Sequence, residues 1–355
     1  MRILFTDATL MHGGAERVLS ILCNRLVELG HEVEVLLYYD RPIWYEIDRR
    51  VHIANDEENI GKKNVLKHIR FRHRYFRNSD ADVIVSFLAP FNMINIIASM
   101  HSGKKLIVAD RNDPRCVPSK RMVRVLRDIL YRFADGIVLQ SIKNQAYFSK
   151  CVQRKSTVIF NPVDLGESKG AALSSEKSHE IVAVGRLIEQ KNPMMLLHAF
   201  AAFEKTNPDY KLIYYGEGNL REAIAEEASR LGIRDKVLLP GAVHNIFEAI
   251  SHAEIFAMTS FYEGMPNALI EAMCLGMPVV STKVSGAVDL IEDDVNGRLI
   301  EVDDTAALTE ALKELAAQPE LRERYARNAC QLSERLKADQ IVAEWTRFIE
   351  EVKQP

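Results

Sequence analysis

The chain has 355 residues, 47% hydrophobic and 27% charged, an ordinary balance for a globular protein and long for a single core, so two domains are expected. Its five cysteines (Cys23, Cys116, Cys151, Cys274, Cys330) are scattered without CxxC spacing, which argues against a disulfide framework or a zinc site and for a reducing compartment. The net charge of −3 hides an asymmetry: residues 1–164 carry 26 Lys+Arg against 18 Asp+Glu, and residues 165–355 carry 20 against 31, so the first half suits an anionic partner.

In chain order, residues 2–8 read as a strand whose apolar run is too short for a secretory signal. MHGGAER (11–17) then opens a helix over 14–29, with Val18, Leu22, Leu26 and Leu29 on one face. Gly13 and Gly14 let backbone amides approach a phosphate, or simply make a tight turn; the spacing is not a dinucleotide fingerprint. EVEVLLYY, DVIVSF, KLIVAD and GIVLQS are further strands, each followed by a turn or a helix. Basic residues Lys62, Lys63, Lys67, Arg70, Arg72, Arg74 and Arg77, interleaved with Phe71, Tyr75 and Phe76, suit a diphosphate head group or an anionic lipid surface, or else solvate a helix face. A second basic segment covers 115–132, and nothing accompanies either one that resembles a nucleic-acid module. The uncharged stretch Val83–Met100 contains Pro90, Asn92 and Asn95, so it reads as a buried strand, a turn and a short helix rather than a membrane span.

The Ser-, Gly- and Lys-rich stretch 160–180 separates two strand–helix series, giving domains of 1–160 and 161–335. The second series runs EIVAVG, KLIYYG, KVLLPG, IFAMTS, PVVST and NGRLIEV, and the chain closes with an amphipathic helix carrying Ile341, Val342, Trp345, Phe348 and Ile349. This alternation predicts two doubly wound α/β domains with parallel sheets, which bind ligands outside the carboxyl ends of their strands.

The loops after strands are therefore the candidate sites. In GRLIEQKNP (185–193), Asn192 and Pro193 have the form of a helix N-cap and first turn, so Arg186 and Lys191 lie near a helix amino end and could cradle a diphosphate. In FYEGMPNALIEA (261–272), Gly264 and Pro266 let amides of 264–267, including Met265 and Asn267, face an anion or a sugar hydroxyl. Glu271 lies in a helix otherwise nearly all apolar; it needs either a cation partner or a ligand such as the vicinal hydroxyls of a ribose. Asp110, Arg111, Asn112 and Asp113 form a polar cluster at another strand end, where a plain turn is the competing reading. Asp80 and Asp82 have metal-site spacing but precede their strand, at the wrong end for such a site, so no metal is expected.

Together these motifs resemble the retaining glycosyltransferase family 4, of the GT-B fold. The resemblance spans nearly the whole chain: GGAER, NPVD, GRLIEQKNP, YYGEGNLR, EGMPNALIEAMCLGMPVVST, SGAVDLIEDDVNGRLIEVDD and the C-terminal Trp helix, which it assigns (336–355) to the first domain. The E-x7-E pair Glu263 and Glu271 is its most specific element. The resemblance implies two Rossmann-like domains facing across a cleft and a nucleotide-sugar donor, UDP-linked by family habit. It implies that Arg186 and Lys191 hold the diphosphate without a metal, that Glu271 binds the ribose, that Glu263 and the amides after it contact the donor sugar, and that Gly13 and Gly14 line the diphosphate. Relatives of this length extend lipid-linked saccharides on the cytoplasmic membrane face. That makes a polyprenyl diphosphate acceptor and a peripheral location the expectation, with Lys67, Arg70, Arg72 and Arg74 meeting acceptor or membrane. The chain departs where many relatives carry a His at the strand end; here Asp110 and Arg111 stand, and His12 and Arg111 are the local substitutes. A nucleotide-sugar 2-epimerase and an inactive binding scaffold are the alternative readings, which donor turnover separates.

Overall fold

Seven segments of the first half pair as parallel strands: β1 (Arg2–Asp7), β2 (Glu32–Leu37), β3 (His52–Asn55), β4 (Val83–Phe87), β5 (Lys105–Asp110), β6 (Gly136–Leu139) and β7 (Ser156–Val158), in the order β3-β2-β1-β4-β5-β6-β7. Every residue of β4 and β6 is buried, as a sheet covered on both faces requires. The edge strands β3 and β7 are short and half-exposed, and the sequence reading did not find them. Helices α1 (Gly14–Glu28), α2 (Val65–Asn78), α3 (Ala89–Ser99), α4 (Arg121–Leu130), α5 (Ile142–Tyr147) and α6 (Lys150–Gln153) join the strands. The computed structural model describes residues 1–11, 13–56, 64–165, 171–174 and 176–354.

The second half repeats the plan with β8 (Ser178–Val184), β9 (Lys211–Tyr215), β10 (Val237–Gly241), β11 (Ala253–Met258), β12 (Val279–Thr282) and β13 (Arg298–Ile300), again all parallel, in the order β10-β9-β8-β11-β12-β13. Its helices are α7 (Ala171–Ser174), α8 (Pro193–Glu204), α9 (Arg221–Arg230), α10 (Ile246–Ser251), α11 (Asn267–Leu275), α12 (Ala287–Leu290), α13 (Thr305–Ala317), α14 (Pro319–Cys330) and α15 (Leu332–Arg335). Its core gathers Leu196, Phe200, Phe203, Leu212, Ile255, Val280 and Leu312. The first core gathers Leu4, Ile84, Ile96, Val108 and Ile137 under Phe76 and Tyr131.

These halves are separate units, Leu165–Arg335 and Met1–Asp164 joined by Leu336–Pro355. The closing helix α16 (Ala338–Lys353) buries Ile341, Val342, Trp345 and Ile349 in the first unit; Trp345 stacks on Phe87 at 5.9 Å between ring centres, and α16 packs on α1. Truncating a fully buried Trp of this kind costs ~3–5 kcal/mol. Among the described residues no helix is long and apolar enough to cross a membrane. The stretch 83–100 is instead β4 followed directly by α3, with Leu88 at φ 71° making the corner and Pro90 in the first helical turn.

Each sheet has one place where strand order reverses. In the first it lies between β1 and β4, in the second between β8 and β11. Loops leaving the carboxyl ends there diverge and leave a crevice for a ligand.

Candidate active site

The richer crevice is that of the second unit. β8 ends at Val184, and Gly185 at φ 153° turns the chain into the loop carrying Arg186. That loop presses on the end of β9: a Cβ on Gly216 would lie 2.1 Å from the Gly185 carbonyl oxygen, so only glycine fits there. A short 3-10 turn, Glu189–Lys191, leads into α8, whose N-cap is Asn192, accepting from the Met195 amide at 3.4 Å with Pro193 following it. The cap predicted from the sequence is thus present, and Lys191 immediately precedes the positive end of the α8 dipole.

Lys191 Nζ lies 2.6 Å from Glu263 Oε1, and the Ser260 hydroxyl donates to the same oxygen at 2.7 Å. Arg186 is exposed, and its guanidinium makes no hydrogen bond or ion pair among the described residues. The loop of Arg186 and that of Glu263 are laced together: Phe261 N donates to the Gln190 carbonyl (2.8 Å), Gln190 Nε2 to the Tyr262 carbonyl (3.0 Å), and the Thr259 hydroxyl to the Asn192 carbonyl (2.9 Å). Gly185, Arg186, Lys191, Thr259 and Ser260 line a cavity of about 30 Å³ between the two strand ends. A larger hollow of about 320 Å³ lies elsewhere, against α9 and β10, with Arg221, Glu222 and Leu238 in its wall and none of the crevice residues.

Gly264, Met265 and Pro266 are buried, and Pro266, as N-cap of α11, offers no side-chain cap. This turn is fixed from behind: a Cβ on Gly286 would meet the Gly264 carbonyl oxygen at 2.5 Å and Met265 Cα at 2.7 Å. Asn267 begins α11, and Glu271, one turn in, is 5% exposed among Leu269, Ile270, Met273 and Leu275. The arrangement is a free forked cation, a cation held by a carboxylate, and two helix amino ends at one sheet edge. It can bind a diphosphate. The sequence reading missed Ser260, Thr259 and Thr282, whose hydroxyl donates to the Ser260 carbonyl at 2.7 Å. The hydroxyl residues at the carboxyl ends of IFAMTS and PVVST were the available signal, and it was not used.

The first unit's crevice is built otherwise. Gly13 is the N-cap of α1 without a side-chain cap, and Glu16 folds back over it, so that a Cβ on Gly13 would lie 2.2 Å from Glu16 Oε2. A phosphate at Gly13 and Gly14 therefore has to displace that carboxylate. His12 lies outside the described residues. Asp7, at the end of β1, is wholly buried; its Oδ1 accepts from the Ala8 amide at 2.6 Å and its Oδ2 has no hydrogen-bond partner. Burial first, and then Glu16, push its carboxyl well above the usual range. Asp110 is also buried, accepts from Tyr131 OH at 3.0 Å, and is raised by burial against the pull of Arg127. Arg111 donates to Asn161 Oδ1 at 2.6 Å and lies over the Phe87 ring, while its Nη1 is buried without a partner; burial lowers its pKa to about 10. Asp80 and Asp82 only tie down the amino end of β4, pairing with Arg2 and Lys353.

Helix α2 corrects one expectation. Lys67, Arg70 and Arg74 are exposed, but Arg72 is fully buried and cannot meet a lipid or an acceptor. Its guanidinium lies 3.4 Å from the Tyr38 ring centre, and Nε donates to Asp56 Oδ2 at 3.0 Å. His68, Arg72 and Phe76, four residues apart, form the inward face. Lys62 and Lys63 lie outside the described residues.

Two family patterns match the chain, Glycosyltransferase Family 4 over residues 12–167 and Glycosyl transferases group 1 over 166–332. A Campylobacter jejuni protein named GalNAc-alpha-(1->4)-GalNAc-alpha-(1->3)-diNAcBac-PP-undecaprenol alpha-1,4-N-acetyl-D-galactosaminyltransferase is 31% identical over 99% of both chains. The chain is a family 4 glycosyltransferase. A second C. jejuni transferase, named for adding N-acetylgalactosamine to a diacetylbacillosaminyl-diphospho-undecaprenol saccharide, is 30% identical to this glycosyltransferase over 89% of its chain and 90% of the relative's. Its GT-B fold is shared with Anabaena HepE in complex with UDP and glucose (TM-score 0.81, 20% identity, 98% and 99% of the two chains). Sucrose-phosphate synthase from Thermosynechococcus elongatus shares it too (TM-score 0.84, 16% identity, 99% and 98%).

Proposed function

We propose that this glycosyltransferase moves a hexose or N-acetylhexosamine from a UDP-sugar to a saccharide carried on a polyprenyl diphosphate, with retention at the anomeric carbon and without a metal. The observation that carries the donor assignment is the β8/β11 crevice, where Arg186, the Lys191–Glu263 pair and the amino ends of α8 and α11 converge. The free guanidinium of Arg186 takes the diphosphate in a forked contact, and Lys191 adds a second positive charge that offsets the negative charge the leaving group gains. Glu263 positions that ammonium, and with Gly264, Met265, Pro266 and Asn267 it faces the donor sugar. Glu271 accepts from the ribose hydroxyls. The curated relatives named above support a lipid-linked acceptor.

The acceptor hydroxyl oxygen attacks the anomeric carbon from the face the diphosphate leaves. The bond from that carbon to the β-phosphate oxygen breaks, and that oxygen takes the hydroxyl proton. The cations stabilise the phosphate charge as it develops, and no protein nucleophile takes part. The test is nucleotide release from UDP-, GDP- and ADP-sugars, with and without undecaprenyl-diphosphate-linked saccharide, in wild type and Glu271→Ala. Acceptor-dependent UDP release, lost in the variant, with an axial product linkage by NMR from an axial donor, is the expected result. UDP-sugar consumption without acceptor, or inversion, overturns the reading.

A further inference from the structure

The crossover from β2 to β3, residues 38–51, is the one connection of the first sheet made without a helix among the described residues. Loops of that length in a compact domain are commonly binding loops. Four of the eight residues 38–45 are aromatic, against 8% of the chain, so the loop carries more ring surface than a plain connection needs. It is pinned to the loop that leaves β1. The amides of Tyr38, Tyr39 and Trp44 donate to the carbonyls of Asp7 (3.1 Å), Ala8 (3.0 Å) and Leu10 (2.9 Å), and the Tyr45 hydroxyl donates to the Gly13 carbonyl (3.2 Å). Asn24 of α1 closes the far end, donating to the Glu46 carbonyl (2.9 Å) and accepting from the Asp48 amide (2.8 Å). Tyr38 is buried, its ring centre 4.2 Å from that of Phe91 in the first turn of α3, and Tyr39 meets Phe91 edge-on at 6.3 Å. Against this packed base, Ile43 and Trp44 stay 47% and 42% exposed.

We infer that Trp44 is a platform for a pyranose ring of the acceptor saccharide. A sugar ring offers a face of C–H groups, which settles on the negative face of an aromatic ring while the hydroxyls at its edge keep their hydrogen bonds. Asp40 and Glu46 are exposed in the same loop. Carboxylates accept from sugar hydroxyls and repel lipid phosphates, so the loop suits a sugar and not a bilayer. The loop leaves the carboxyl end of β2, next to β1 and its reversal with β4, at the edge where a parallel sheet takes its ligands. Its pinning removes much of the cost of ordering it on binding. The inference rests on the lipid-linked saccharide reading for the identity of the ligand, and it names the residue that recognises the sugar of that acceptor rather than its diphosphate or its prenyl chain.

The test uses the N-acetylgalactosaminyl-diacetylbacillosaminyl diphosphate for which the second C. jejuni relative is named, carried on undecaprenol or on a short prenyl chain. Trp44→Ala should raise the acceptor KM roughly tenfold on both carriers, with kcat and the donor KM within about twofold of wild type. Trp44→Phe, which keeps a ring, should recover most of that loss. In a separate titration, the acceptor should change the tryptophan emission of wild type and not that of Trp44→Phe. Should Trp44→Ala melt early, this titration and the Phe variant decide alone. An unchanged acceptor KM, a raised donor KM, a loss seen only with the long carrier, or an emission change that survives in Trp44→Phe overturns the platform. A wild type that transfers sugar with Trp44→Ala unaffected sinks the platform and leaves the reaction reading. An emission change without any transfer does the opposite, and neither response sinks both.

Discussion

The two sheets reverse strand order in the same way, yet the charges at the two reversals live under opposite conditions. At β8/β11 Arg186 is open to solvent, and Lys191 shares a proton-donor-rich corner with Glu263 and Ser260. At β1/β4 Asp7 is sunk out of water, and at the end of the neighbouring β5 Arg111 keeps an unpartnered nitrogen. A sheet's carboxyl edge supplies a position. Burial then decides whether a charge there serves a ligand or is borne as a cost by the fold.

That contrast can be broken by substitution. Lys191→Ala should lower kcat by roughly 100- to 1000-fold, the loss of one preorganised cation at a developing charge, with little change in melting temperature. If the protein instead melts, the crevice charge is structural after all. Arg72→Ala should do the reverse, removing ~3–5 kcal/mol of stability in urea unfolding by stranding Asp56 in the core. Arg70→Ala and Arg74→Ala on the same helix should stay within about 0.5 kcal/mol.

Asp7→Asn sharpens the comparison with a smaller effect than Lys191→Ala or Arg72→Ala. Because the folded-state pKa of Asp7 is raised, its contribution is fully present below the unfolded carboxylate value of about 3.9 and is lost as pH rises through the raised value. The variant should therefore gain about 1 kcal/mol over wild type at neutral pH, with the gap closing in acid. A gap constant with pH would mean that Asp7 is charged in the fold.

Much of the fold was legible because buried parallel strands are continuous apolar runs, as in DVIVSF and KLIVAD. The half-exposed β3 and β7 carry no such run and were missed. The Asn192–Pro193 cap was legible because capping is a local matter. The directions of α2 and α4 were not. A stripe of three- and four-residue spacing marks a face, and nothing in the spacing says whether the face looks in or out. Arg72 and Arg127 read as surface cations, yet each is fully buried against carbonyls or a carboxylate that come from elsewhere in the sequence. The local sequence likewise says nothing of the constraint on Gly216 and Gly286, because the backbones that press on them belong to distant segments.

The return of α16 to the first unit has a consequence for the order of synthesis. Val163 donates to the Leu336 carbonyl at 2.8 Å, so the strand of chain leaving this unit and the one re-entering it are stitched side by side. Residues 165–335 must be made between them. The half that emerges first from the ribosome must therefore wait, with the pocket for Trp345 beside Phe87 unfilled, while the half that emerges second already has all its strands and can fold. Birth order and completion order are inverted in this chain.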